Sequence, residues 1–130
     1  MFTVVGEFRP RGSGGESHSP IISENRAFET ALIFAEAIGF IPEKIMTDKA
    51  LYESSNLEDF FNLIRRITPQ ISSVILFGHN PTFSHFASKL SSSFTQEMPK
   101  ASIAGFEFKV DNWMKIKEGQ GSIILFKYPV

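Results

Sequence analysis

At 130 residues, with 42% hydrophobic residues and a net charge of -1, the chain is sized for one domain with a core of its own. The near-neutral balance argues against a general nucleic-acid binder, which carries a basic excess. The absence of cysteine excludes disulfides, thiolate catalysis and cysteine-ligated metal.

Met1 to Glu7 reads as a short strand centred on Val4 and Val5, and Phe8 to Pro20 as a loop built on Arg9-Pro10-Arg11-Gly12-Ser13-Gly14-Gly15. Ile21-Ile22-Ser23 is a brief buried strand. A helix is expected from Glu24 to about Ile38, because Ala27, Ala31, Phe34, Ala35 and Ile38 share one stripe and Gly39 is a natural stop. Ile45-Met46 suggests another short strand. Asn56 then opens a second helix as its cap, with Leu57, Phe60, Phe61, Ile64 and Ile67 on one face and Pro69 beyond the end.

Ser73 to Phe77 reads Ser-Val-Ile-Leu-Phe, the pattern of a strand buried on both faces. After Pro81 the apolar positions Phe83, Phe86, Ala87 and Leu90 follow the helical period, so Asn80 is expected as N-cap and Pro81 as the first helical residue. Ser91 to Ser93 ends that helix. Phe106, Phe108 and Val110 alternate with Glu107 and Lys109, predicting a half-exposed strand over Ile103 to Val110. Gly119-Gln120-Gly121 leads into a last strand, Ser122 to Tyr128. The order is that of an α/β protein with a mostly parallel sheet that an antiparallel strand can edge. No apolar run is long enough to span a membrane, and no secretory signal pattern opens the sequence, so a cytoplasmic protein is expected.

The chemistry gathers at two junctions. His79 follows a buried strand and precedes a helix N-terminus, where free N–H groups attract anions. Arg26 follows Ile21-Ile22-Ser23 and reaches the same sheet edge if the strands are parallel, offering a bidentate fork for phosphate. Each has a plainer reading alone: a histidine satisfying local backbone, and a solvated arginine paired with Glu29 or Glu24. Together on one edge they are more informative. His85 reads as surface or packing. His18 lies in a loop without an orienting neighbour, and Glu53 is either a proton donor or a turn carboxylate. Neither phosphate-loop glycine pattern is present, nor G-x-S-x-G, nor metal-ligand spacing among histidines and acidic residues.

From about Pro20 to Val130 the chain resembles the SixA-type phosphohistidine phosphatases of the histidine phosphatase superfamily. Ile21-Ile22-Ser23 with Arg26-Ala27 and Thr30-Ala31 resembles the family's strand followed by S-P-x-x-R-A-x-x-T-A. Leu51-Tyr52-Glu53-Ser54 is similar to its L-Y-x-A, and Val74-Ile75-Leu76-Phe77-Gly78-His79-Asn80-Pro81 to its V-G-H-N-P. Met98-Pro99-Lys100-Ala101, Phe106-Glu107-Phe108 and Asp111-Asn112-Trp113 are similar to its C-terminal section.

The resemblance implies a three-layer, phosphoglycerate mutase-like fold, with a mostly parallel central sheet flanked by helices. It also implies phosphoryl hydrolysis without metal or other cofactor, on a phosphorylated protein or a small phosphomonoester. His79 matches the family's second histidine and Arg26 the arginine of its S-x-x-x-R-A motif, both phosphate-binding and catalytic. The family's nucleophile is a histidine in R-H-G or R-H-A after the first strand, and this sequence has no such motif. Arg9-Pro10-Arg11-Gly12 follows the expected first strand in the comparable place, and neither proline nor arginine can be the phosphorylated nucleophile. Phe8 to Ser19 has no helical pattern, although a parallel crossover takes at least roughly 10–12 residues including its helix. The N-terminal part therefore reads as truncated, replaced or degenerate. The expected alternatives are a phosphatase-like domain, a non-catalytic phosphate- or phosphopeptide-binding module, and an incomplete member prone to self-association.

Overall fold

The computed structural model describes residues 21–23, 27–52, 56–71, 73–99 and 101–129. The strand expected over Met1 to Glu7 and the loop over Phe8 to Pro20 lie outside these residues.

Within them the chain runs β1 (Ile21–Ser23), α1 (Phe28–Ile38), β2 (Met46–Thr47), α2 (Leu57–Arg65), β3 (Ile75–Phe77), α3 (Thr82–Leu90), β4 (Ile103–Glu107) and β5 (Ser122–Lys127). Single 3₁₀ turns cover Pro42–Lys44, Lys49–Leu51 and Trp113–Lys115. The molecule is a small α/β protein. β1, β2 and β3 form a parallel sheet in the order β2-β1-β3, with Ile22 opposite Met46 and Leu76, and Ser23 opposite Phe77.

That order explains where the helices pack. From β1 the chain steps sideways to β2, then crosses back to β3. Right-handed crossovers in opposite directions put their helices on opposite faces of a sheet. Strand alternation divides the apolar residues accordingly. Ile21, Ile75 and Phe77 pack with Ala27, Ala31 and Ala35 of the α1 side. Ile22 and Leu76 pack with Phe60, Phe61 and Ile64 of α2 and Phe83, Phe86 and Leu90 of α3. Three alanines let α1 lie close to the sheet, and the Phe34 ring meets Phe77 edge-on at 5.6 Å. On the other face Phe60 stacks on Phe86 at 4.0 Å.

Local chemistry sets the helix ends. The Asn56 side chain accepts the Asp59 N–H at 2.8 Å and starts α2, as its cap position predicts. Gly39 ends α1 in the left-handed region at φ 76°, a conformation that favours glycine. There the N–H groups of Gly39 and Phe40 reach the carbonyls of Glu36 and Ala35.

The β4–β5 pair covers part of the α2/α3 face through Ala104 and Phe106, joined by Phe108 just past β4, all fully buried. Trp113 is buried beside them and donates its indole N–H to the Ile71 carbonyl at 2.7 Å. Backbone bonds from Gly119 N–H to the Lys89 carbonyl and from Gly121 N–H to the Leu90 carbonyl, both 2.7 Å, fasten the entry of β5 to the end of α3.

Four expectations need correction. First, the antiparallel strands do not edge the parallel sheet; among the described residues they make a two-stranded sheet of their own. Second, α1 begins at Phe28 with Ala27 in its cap position instead of inside the helix; the expected start at Glu24 lies outside the described residues. Third, Ile38 is 52% exposed instead of completing the buried stripe, because the chain turns at Gly39 before the sheet can cover it. Fourth, α3 begins at Thr82 with Pro81 in the cap position, one residue later than expected. No helix among the described residues is long and apolar enough to cross a membrane.

Candidate functional site

β1 and β3 run side by side and end level, Ser23 opposite Phe77. The chain leaving β1 goes to α1 on one face of the sheet, and the chain leaving β3 goes to α3 on the other. Divergence of neighbouring connections makes the carboxyl ends of those strands a switch point, where open α/β sheets hold their ligands in a crevice. His79 stands two residues past the end of β3 and is half-buried. Arg26 stands three residues past the end of β1, outside the described residues, as do His18 and Glu53. Ala27, next to Arg26 in sequence, is fully buried against the α1 face.

The loop carrying His79 is held on both sides. Before it, Gly78 lies against the Phe83 ring so closely that a β-carbon there would come within 2.1 Å of a ring carbon. Phe83 is itself 2% exposed, so its ring has little room to give way. After it, Asn80 stands one residue before the cap position of α3 and bonds to two parts of the fold. Its Oδ1 accepts both the Ser84 N–H at 2.9 Å and the Ser84 hydroxyl at 2.7 Å. Its Nδ2 donates to the Met98 carbonyl at 2.6 Å, and the Met98 N–H donates to the Ser84 Oγ at 2.7 Å. The result is a closed ring of hydrogen bonds joining the His79 loop, the first turn of α3 and the chain at Met98. The His79 carbonyl accepts the Phe83 N–H at 3.0 Å, so His79 also belongs to the helix start through its backbone.

The remaining candidates separate cleanly. His85 is exposed on α3 with its ring 6.2 Å from that of Phe86, and it serves the surface. Both arginines in the described residues are engaged elsewhere. Arg65 donates through Nε and Nη2 to the Ile116 carbonyl, at 3.1 and 3.0 Å, with its guanidinium 5.2 Å from the centre of the Phe61 ring. Arg66 donates to the Asn62 carbonyl of its own helix. Among the described residues no group of three or more histidine, aspartate or glutamate side chains gathers as a metal site.

Two surface hollows have other linings. One of about 590 Å³ is bounded by Leu32, Ile33, Phe40 and Ile41 at the end of α1. The other, about 340 Å³, lies at Lys109, Val110, Asp111 and Lys115. In the second, the hydrogen bond from Lys115 holds the Asp111 carboxyl below the usual carboxylate range. That pair is a solvated i,i+4 ion pair at 2.8 Å.

Sequence reasoning singled out His79 as a candidate and missed the network beside it. The signals were present: a glycine immediately before the histidine marks a close approach, and Ser84 lies one helical turn beyond Asn80. The partner Met98, 18 residues from Asn80, had no local signal. Comparison with protein-family models, curated proteins and solved structures found no match to this chain.

Proposed function

We propose that this chain is a phosphate-handling domain of the histidine phosphatase type, with His79 and Arg26 gripping the oxygens of a phosphoryl group. The observation that carries the reading is the parallel register of Ser23 with Phe77, since both residues head short segments that lead to the two side chains. The order of the sequence motifs around them supports it as well. On this reading the sheet and its helices are the reduced form of a three-layer, phosphoglycerate mutase-like fold. Its substrate class is a phosphorylated protein or a small phosphomonoester.

An imidazole and a guanidinium supply complementary donors for a phosphoryl group. The guanidinium binds two oxygens in a fixed fork. The imidazole donates one further hydrogen bond. Such groups stabilise charge developing on the equatorial oxygens, and phosphoryl transfer depends mainly on positioning and that stabilisation. A covalent step also needs a nucleophile, and the family's R-H-G motif is missing from the sequence. This observation favours a second reading, a non-catalytic module that binds phosphate or a phosphopeptide through the same pair.

Hydrolysis of a phosphohistidine peptide and of p-nitrophenyl phosphate tests the enzymatic reading. Turnover that survives chelation of divalent metals and is abolished by Arg26→Ala and by His79→Ala supports it; full activity in His79→Ala removes the proposed site. Calorimetric binding of phosphate or phosphopeptide without turnover, lost in both variants, supports the module instead.

A further inference from the structure

The hydrogen-bonded ring beside His79 uses nearly every polar group it contains. Asn80 spends its carbonyl oxygen on two donors and its amide on the Met98 carbonyl. The Ser84 hydroxyl both donates, to Asn80, and accepts, from the Met98 N–H. One hydroxyl oxygen therefore ties the α3 helix to a chain segment 14 residues further on. A helix start alone would not require this. Accepting the Ser84 N–H already satisfies a free donor in the first turn of α3, and the reach to Met98 adds nothing to that.

From these contacts we infer that Asn80 and Ser84 are positioning residues for His79. They fasten the residue that follows it to two independent parts of the fold, while the Gly78–Phe83 contact fixes the residue that precedes it. The inference rests on the phosphate reading of His79. A grip on a phosphoryl oxygen is useful only when the donor is held to a fraction of an ångström, by neighbours whose own side chains are locked. Asn80 and Ser84 touch no ligand in this role; they act through the loop.

The test is titration of the full chain with inorganic phosphate, following the ring resonances of His79 by NMR. The intact protein is expected to show a saturable shift. Ser84→Ala, which keeps the bond from the Ser84 N–H to Asn80, is expected to weaken phosphate binding about tenfold, equivalent to ~1.4 kcal/mol. Asn80→Ala is expected to weaken it at least as much, and Ser84→Thr, which retains the hydroxyl, to restore it. Asn56→Ala removes a cap on a different helix and calibrates general destabilisation; its phosphate affinity is expected to be unchanged. Unaltered affinity in Ser84→Ala overturns the positioning role alone, even if Asn80→Ala does not fold. Equal weakening in Asn56→Ala overturns it too. Absence of any phosphate-dependent shift at His79 in the intact protein overturns the functional reading, and this inference with it.

Discussion

Phe83 presses its ring against Gly78 at a distance that leaves no volume for a side chain on the residue before His79. The α-carbon hydrogen of glycine is the only substituent that fits between β3 and the first turn of α3. Gly78→Ala is therefore expected to destabilise the fold by about 1–3 kcal/mol, the usual cost of overpacking a filled core. Shrinking the ring in the double variant with Phe83→Leu should recover part of that loss. Urea unfolding of the two single variants and the double variant measures the coupling; purely additive losses would show that the two residues do not compete for the same space.

Asn56 supplies the acceptor for the Asp59 N–H at the start of α2. Asn56→Ala is expected to cost about 0.5–2 kcal/mol. The loss should appear as a lower midpoint in urea with an unchanged slope, because a missing cap does not alter how much surface unfolding exposes.

Arg65 is expected to be structural. Its two hydrogen bonds to the Ile116 carbonyl join α2 to the chain after Trp113, and its guanidinium lies over the Phe61 ring. Arg65→Lys keeps the charge but loses the planar fork, with an expected cost of about 1–2 kcal/mol. Phosphate affinity should not change, in contrast to Arg26→Ala. A calorimetric titration of the two variants beside the intact protein separates an arginine that builds the fold from one that holds the anion.

Asp111 titrates below the usual carboxylate range, chiefly through its hydrogen bond with Lys115. A folded-state pKa below the unfolded value gives stability that is present above the unfolded pKa. That stability is lost as pH falls through the folded one. Stability attributable to the pair should therefore decline only on the acid side, across and below the ordinary carboxylate range. Because the pair is exposed, the effect should be small and should shrink further in salt. Comparing Asp111→Asn with the intact protein by thermal unfolding at acid and neutral pH, with and without added salt, measures it. A larger difference between the two proteins at acid pH than at neutral pH would contradict the sign.

For several residues whose roles depend on near neighbours, the sequence alone was sufficient. Asn56 as a cap, Gly39 as a stop, the buried run Ile75 to Phe77 and the Phe60, Phe61 and Ile64 face all follow from bonds or periodicities spanning a few residues. They determine an α/β chain with His79 at the end of a buried strand. Tertiary structure decided what those rules cannot reach. It set β4 and β5 apart as their own pair, left Ile38 uncovered, and drew Asn80 to Met98 across 18 residues. It also brought the ends of β1 and β3 level, with 53 residues of chain between Ser23 and Phe77. The reason is physical: a hydrogen bond or a packed ring within one helical turn is constrained by backbone geometry, whereas contacts between distant segments exist only once the core that brings them together has formed.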